Sequence, residues 1–203
     1  MRHAPVLRLV AITDNLRDGV AGLLARAQAV CRGGATMIQL RLPDESAQTV
    51  VEVARALIAA TGTPVVVHGR VDAALAAGVA GVHLGVRDIA VADVRRIAGS
   101  EFIIGRSAAT DADLQHAAGA DYVAIGPVFS TGDSRPGVAM GISEFERLAR
   151  SVSTPVLAIG GISSTTVVNV LRAGACGVAL ISGIFGSRDP ERSAREVRSA
   201  IGT

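Results

Sequence analysis

The segment AGADYVAI, residues 118–125, decides the fold. It places a glycine, a short spacer and a run of strand-forming residues in that order. The same pattern stands at 33–40 (GGATMIQL), 77–84 (AGVAGVHL) and 173–180 (AGACGVAL). The second residue of each copy is a glycine: Gly34, Gly78, Gly119 and Gly174. A glycine there ends a helix at little cost, because it enters the left-handed conformation freely, and the strand can follow at once. These glycines are 44, 41 and 55 residues apart. One helix-plus-strand unit takes roughly 25 residues in a compact α/β fold, so each interval holds two units. The intervening strands read at 64–68 (PVVVH), 102–105 (FIIG) and 155–159 (PVLAI), and an opening strand reads at 7–13 (LRLVAIT).

Working outward, helical patterns fill the gaps at 18–33, 46–60, 70–77, 91–98, 110–118, 142–151, 164–173 and 189–201. The strands are continuous apolar runs, as parallel strands buried on both faces are. Eight such units predict one domain over 1–203, a single (β/α)8 TIM barrel. An open doubly wound sheet would carry a glycine-rich turn after its first strand, where this chain has Thr13-Asp14-Asn15.

Composition narrows the chemistry. Of 203 residues, 49% are hydrophobic and only 2% aromatic, so the core is aliphatic. All 20 basic residues are arginine. Without lysine there is no Schiff-base amine and no P-loop cation. The arginines are scattered and stacking aromatics are scarce, which argues against nucleic acid as a partner. Two cysteines, Cys31 and Cys176, make neither a disulfide scaffold nor a zinc site. No apolar run reaches the ~18 residues of a membrane span, and no leader pattern opens the sequence, so a cytoplasmic protein is expected.

Barrel sites form at the C-terminal ends of the strands. Small-residue turns follow strands seven and eight, Gly160-Gly161-Ile162-Ser163 and Ile181-Ser182-Gly183-Ile184. Backbone N–H groups in such turns cradle phosphate, so Gly160, Gly161, Ile181, Ser182 and Gly183 are expected to bind a phosphorylated ligand. Gln39 and Arg41 share one side of strand two, and Arg41 meets either an anionic ligand or a carboxylate such as Asp88 or Asp14. His68 closes strand three and can carry protons, or can simply cap the strand. His83 reads as structural, donating to a neighbouring backbone group. Asp88 either holds a metal or starts a helix. The long segment 126–141, rich in glycine and hydroxyls, reads as a functional loop.

Together these residues resemble the thiamine phosphate synthase / TenI (thiazole tautomerase) family. The segments that carry the likeness are Gln39-Leu40-Arg41, Gly81-Val82-His83-Leu84-Gly85 with Asp88, Ile104-Gly105-Arg106-Ser107 and Gly119-Ala120-Asp121-Tyr122. It continues through Gly126-Pro127-Val128-Phe129, Ala158-Ile159-Gly160-Gly161-Ile162 and Ser182-Gly183-Ile184-Phe185. The resemblance implies a phosphate-binding barrel that handles thiazole phosphate in thiamine biosynthesis.

The resemblance also separates two branches. The synthase joins a pyrimidine pyrophosphate to thiazole phosphate, with Mg2+ assisting the leaving pyrophosphate. Its pattern has a lysine where Pro43 stands, an Asn-Asp pair where His68-Gly69 stand, and a loop lysine for which Arg135, beside Thr131 and Ser134, substitutes. Asp88, Ser107, Arg41 and Thr131 of the synthase set remain, with Asp88 as the metal residue. Half a carboxylate pair should hold Mg2+ poorly. The TenI branch is nearer at His68-Gly69-Arg70-Val71-Asp72 and at Gly105-Arg106-Ser107, and Arg106 is taken there as a substrate residue. The tautomerase base two residues beyond Ser107 is Ala109 here, so His68 is expected to take its place, with Ser107 as the second catalytic residue. The leading expectation is a TenI-like tautomerase that aromatises a thiazole carboxylate phosphate. The alternatives are a thiamine phosphate synthase and a non-catalytic phospho-ligand-binding or regulatory barrel. No cofactor is expected, and Mg2+ enters only with synthase activity. The partners are a phosphorylated thiazole or thiamine phosphate, not nucleic acid or membrane, with a homo-oligomer left open.

Overall fold

The structure, a computed structural model, describes residues 4–130 and 139–202. A 3-10 helix at Ala4–Leu7 precedes eight alternating strands and helices. The strands are β1 (Leu9–Ile12), β2 (Met37–Leu40), β3 (Val65–His68), β4 (Gly81–Leu84), β5 (Ile103–Ala108), β6 (Tyr122–Ile125), β7 (Val156–Ile159) and β8 (Gly177–Leu180). The helices are α1 (Gly19–Arg32), α2 (Ala47–Thr61), α3 (Val71–Ala77), α4 (Val91–Ala98), α5 (Asp111–Gln115), α6 (Gly141–Arg150), α7 (Val167–Arg172) and α8 (Pro190–Ile201). Every strand pairs in parallel with the next, and β8 returns to β1 to close the barrel. The expected (β/α)8 barrel is the fold observed.

The recurring glycines do what the pattern requires. Gly34, Gly78, Gly119 and Gly174 have φ of 102, 70, 82 and 108°, each turning a helix end into the next strand. Alternation along the strands then sorts the core. Val10, Ile12, Met37, Val66, Ile103, Tyr122 and Leu157 fill the barrel, while Leu9, Ala11, Ile38, Val65 and Val67 pack outward against the helices. Asp121 ties this arrangement together, its Oδ2 accepting from the Ile104 N–H at 2.8 Å and from Arg95 at 2.7 Å.

Two of the boundaries that differ from the sequence reading shape the barrel. The first strand is shorter, because residues 4–7 coil into the 3-10 helix and Leu7 plugs the barrel floor instead. The fifth strand runs three residues further, because Ser107 and Ala108 stay in register with Ala124 and Ile125. That extension carries Arg106 and Ser107 inside the strand.

Candidate functional site

At the barrel mouth, the turn after β7 is Gly160-Gly161-Ile162-Ser163, with φ of 95° at Gly160 and 64° at Gly161. A Cβ on Gly161 would stand 2.6 Å from the Ser130 carbonyl oxygen, so only glycine fits. Between this turn and the one after β8 lies a cavity of about 330 Å³ lined by Ser130, Gly160, Gly161, Ile162, Ser182 and Gly183, among others. The N–H groups of Gly161, Ile162, Ser182 and Gly183 have no acceptor among the described residues. Several unpartnered amides around one cavity form a nest for an anion, built from dipoles rather than formal charge. The turns expected to hold phosphate, including Ile181, do converge on one cavity.

The centre of the mouth is a polar layer on the barrel interior. Gln39 Nε2 lies 3.0 Å from His68 Nδ1, so the amide donates, Nδ1 accepts, and the ring's own hydrogen sits on Nε2. His68 stacks on His83 at 5.6 Å between ring centroids, and His83 stacks on Tyr122 at 5.5 Å. His83 Nδ1 is 3.0 Å from the Tyr122 hydroxyl, and its Nε2 is 2.9 Å from Ser107 Oγ. Burial, reinforced by His68 and Arg106, lowers the His83 pKa to about 3, so the ring is neutral at pH 7. Burial also raises the Tyr122 pKa, so the phenol keeps its hydrogen. That buried hydroxyl has no other acceptor among the described residues, so it donates to His83 Nδ1. His83 Nε2–H then donates to Ser107, which leaves the serine hydrogen to be donated into the mouth. Gly105 makes the layer fit: a Cβ there would be 2.1 Å from the Tyr122 ring.

The third part is the corner of β2, β3 and β4. Thr13 Oγ1 accepts from the Arg41 N–H at 2.9 Å and donates to the Arg41 carbonyl at 3.2 Å, fixing the backbone there. The Arg41 guanidinium has no carboxylate partner among the described residues. Of the two carboxylates offered as partners, Asp14 pairs with Arg17 and Arg26, and Asp88 Oδ2 accepts the Gly85 N–H at 2.6 Å. Burial, then the charge of Arg41, lowers the pKa of His68. His68 and Asp88 line a cavity of about 210 Å³ with Leu42, Pro43, Gly69 and Arg70.

A Mg2+ ion held by the protein would need several oxygen ligands in octahedral array. Asp88 is the sole carboxylate on that cavity, and its Oδ2 is already engaged. No group of three or more His, Cys, Asp or Glu is placed to hold a metal ion among the described residues. The residues present do not fit a protein-bound Mg2+.

Two expectations need correction. Arg106 does not face the mouth as a substrate residue: it is buried and donates to the carbonyls of Val86, Asp88 and Ile89, bracing the β4–α4 loop. His83 donates to the Ser107 hydroxyl and accepts from Tyr122, rather than donating to backbone. Asp88 Oδ2 accepts the Gly85 N–H, and no second carboxylate among the described residues joins it on the cavity it shares with His68. Thr131, Ser134 and Arg135 lie outside the described residues. Sequence reasoning named Thr13 and Tyr122 but gave neither a role; the chain's one tyrosine, directly opposite Gly105 across β5 and β6, was the available signal.

Comparisons with known proteins agree over nearly the whole chain. The family model described as thiamine monophosphate synthase matches residues 9–184. A thiamine-phosphate synthase from Roseiflexus sp. is 44% identical over 94% of this chain and 83% of its own length. One from Azorhizobium caulinodans is 35% identical over 100% of this chain and 99% of its own. The solved thiamine phosphate pyrophosphorylase of Pyrococcus furiosus superposes with a TM-score of 0.86 at 32% identity, covering 98% of this chain and 96% of that one.

Proposed function

The chain belongs to the thiamine monophosphate synthase family, and from that premise we propose that it is a thiamine-phosphate synthase, a transferase joining a pyrimidine diphosphate to a thiazole phosphate. The observation that carries this reading is its relatedness. The relatives quoted above match end to end under the synthase or pyrophosphorylase name, and none of them carries the name of the tautomerase that led the sequence reading. In this reaction the carbon–oxygen bond to diphosphate breaks and a bond to the thiazole forms. The amides of Gly161, Ile162, Ser182 and Gly183 hold the thiazole phosphate. Ser107, aligned by His83 and Tyr122, donates its hydrogen to a polar atom of the substrate. Gln39 orients His68, and Arg41 faces the departing diphosphate. Fixed dipoles and a fixed cation stabilise developing charge without reorganising during the reaction.

The test is direct. Purified protein is incubated with hydroxymethylpyrimidine diphosphate and thiazole phosphate in Mg2+-containing buffer, and thiamine phosphate is read by oxidation to a fluorescent product. Product formation that falls in Ser107→Ala supports the proposal. Absence of product, with ring isomerisation of thiazole carboxylate phosphate in a parallel assay, replaces it with the tautomerase. One observation keeps that second reading specific: His68 has its Nδ1 fixed by Gln39 and its Nε2 directed to the Asp88 side of the mouth. If His68→Ala abolished isomerisation, the imidazole would be its base.

A further inference from the structure

The segment that follows β6, residues 127–130, lies flat against the turn that follows β7, backbone on backbone. The Val128 N–H donates to the Ile159 carbonyl at 2.9 Å, and the Phe129 N–H donates to the Gly160 carbonyl at 3.1 Å. A Cβ on Gly160 would stand 2.5 Å from Pro127 Cβ, and one on Gly161 would stand 2.7 Å from Phe129 Cβ. The other edge of the segment is tied to the start of α6. There the Pro127 carbonyl accepts from the Met140 N–H at 2.9 Å, and the Val128 carbonyl accepts from the Gly141 N–H at 3.0 Å. The segment is therefore held from two sides, and the turn after β7 rests against a fixed wall.

That wall settles a choice that the two glycines leave open. With no Cβ on Gly160 or Gly161, the peptide between them can rotate as a unit and exchange the places of its C=O and N–H at little steric cost. The peptide is trans, so the two groups point to opposite sides. With the Gly160 C=O turned to Phe129, the Gly161 N–H faces the other way, and it is one of the unpartnered amides around the anion cavity. In the rotated form a carbonyl oxygen would take its place and repel an anion.

We propose that the Phe129 N–H is a latch on the Gly160–Gly161 peptide, which makes Phe129 a positioning residue for phosphate: it acts by aiming the Gly161 N–H. The ligand's identity as thiazole phosphate rests on the synthase reading, whereas the latch needs only a phosphate group. The coupling runs both ways. An anion that accepts from Gly161 polarises the peptide and makes the Gly160 oxygen a stronger acceptor, so binding tightens the Phe129 bond.

The probe is inorganic phosphate, titrated calorimetrically into the full chain. Phe129→Pro removes the N–H, and Phe129→Leu keeps it together with an apolar side chain. Phe129→Pro is expected to bind phosphate about tenfold more weakly than the wild type, and Phe129→Leu within about threefold of it. In the coupling assay the proline variant should raise KM for thiazole phosphate by a like factor. Its KM for the pyrimidine diphosphate should stay within about twofold, a split that general loss of structure would not give. Amide hydrogen exchange tests the wild type directly. Saturating phosphate should slow exchange at Phe129 by about threefold or more and leave Gly62 unchanged, whose N–H bonds the Ile58 carbonyl at the end of α2. If circular dichroism shows Phe129→Pro to be unfolded, the exchange result decides. Equal affinity in Phe129→Pro and the wild type, equal losses in the two variants, equal slowing at the two amides, or no phosphate binding by the wild type would overturn the latch. A chain that binds phosphate through the latch and makes no thiamine phosphate sinks the synthase reading alone. Thiamine phosphate made with the same thiazole phosphate KM in the wild type and Phe129→Pro sinks the latch alone.

Discussion

The two corners of this barrel proposed to face anions are built on different physics. Between β7 and β8, glycines open the backbone and amide dipoles provide the attraction, with no charged side chain among the described residues of the cavity wall. Between β2 and β4, side chains provide it, and the backbone only holds them in place. An amide nest is rigid and specific in shape, because a Cβ on Gly161 would fill it. A side-chain corner tolerates change in shape and depends on charge. The comparison teaches where each corner is fragile: the first to a methyl group, the second to a change in charge or metal.

The largest effect should come from testing the first corner. Gly161→Ala puts a Cβ 2.6 Å from the Ser130 carbonyl and forces an alanine into φ of 64°. Thiazole phosphate affinity, measured by calorimetry, is expected to fall about 100-fold or more. Gly183→Ala is the control on the same cavity. Its Cβ would meet Leu180 Cδ2 at 3.2 Å, a flexible side-chain end, so the loss should be under about tenfold. Equal losses in the two variants would break the claim that backbone shape governs this corner.

The next test adds charge to the second corner. Gly69 has φ of 71°, a conformation that aspartate tolerates better than most residues. Its Cβ would lie 3.3 Å from Asp88 Oδ2, so Gly69→Asp places a second carboxylate beside the first. This variant should bind pyrophosphate about tenfold more tightly in Mg2+ than in EDTA, a dependence the wild type should lack. The same dependence in both would show that the corner already holds a metal.

These contrasts bear on what the sequence could reveal. The glycine turns of the first corner were legible because glycine is demanded by backbone geometry, and geometry leaves its mark on local order: Gly160-Gly161 follows β7 directly, and Ser182-Gly183 follows β8 after one residue. The eight units were legible for the same reason, through Gly34, Gly78, Gly119 and Gly174. The central layer was not. His83 and Tyr122 are 39 residues apart, and they touch only because β4, β5 and β6 pair in a register that places both inside the barrel. No local pattern carries that. Arg106 misled for the related reason that one residue of register decides whether a side chain enters the mouth or braces a loop.

That hidden layer separates the corners, and its energetics can be read from pH. His83 has a folded pKa of about 3 against an ordinary 6.5. Between these values the unfolded chain binds a proton that the folded chain refuses. Stability is therefore full above about pH 6.5 and falls as pH drops through the window toward 3, by at most about 1.4 kcal/mol per unit. Asp72, held near 2 by Arg70, adds its own loss only below about pH 4. Melting temperature from pH 7 to 5 should fall in the wild type and less steeply in His83→Asn. Tyr122→Phe should lower it at every pH, by an amount equivalent to about 1–3 kcal/mol, because His83 Nδ1 loses its donor. A wild-type curve flat from pH 7 to 5 would show that the histidine is not held neutral by burial.

The smallest effect is also the one most specific to the comparison. Screening shortens the reach of charge, with a Debye length of about 10 Å at 0.1 M salt. The Arg41 corner is partly exposed and relies on formal charge, so added salt weakens it directly. The amide corner offers dipoles at contact distance, whose grip depends on shape and falls off within a few ångströms. Raising NaCl from about 50 to about 300 mM should therefore weaken pyrophosphate binding by roughly three- to fivefold and thiazole phosphate binding by less than about twofold. Parallel slopes for the two ligands would mean that both corners work through net charge, and the distinction between backbone and side-chain recognition would fall.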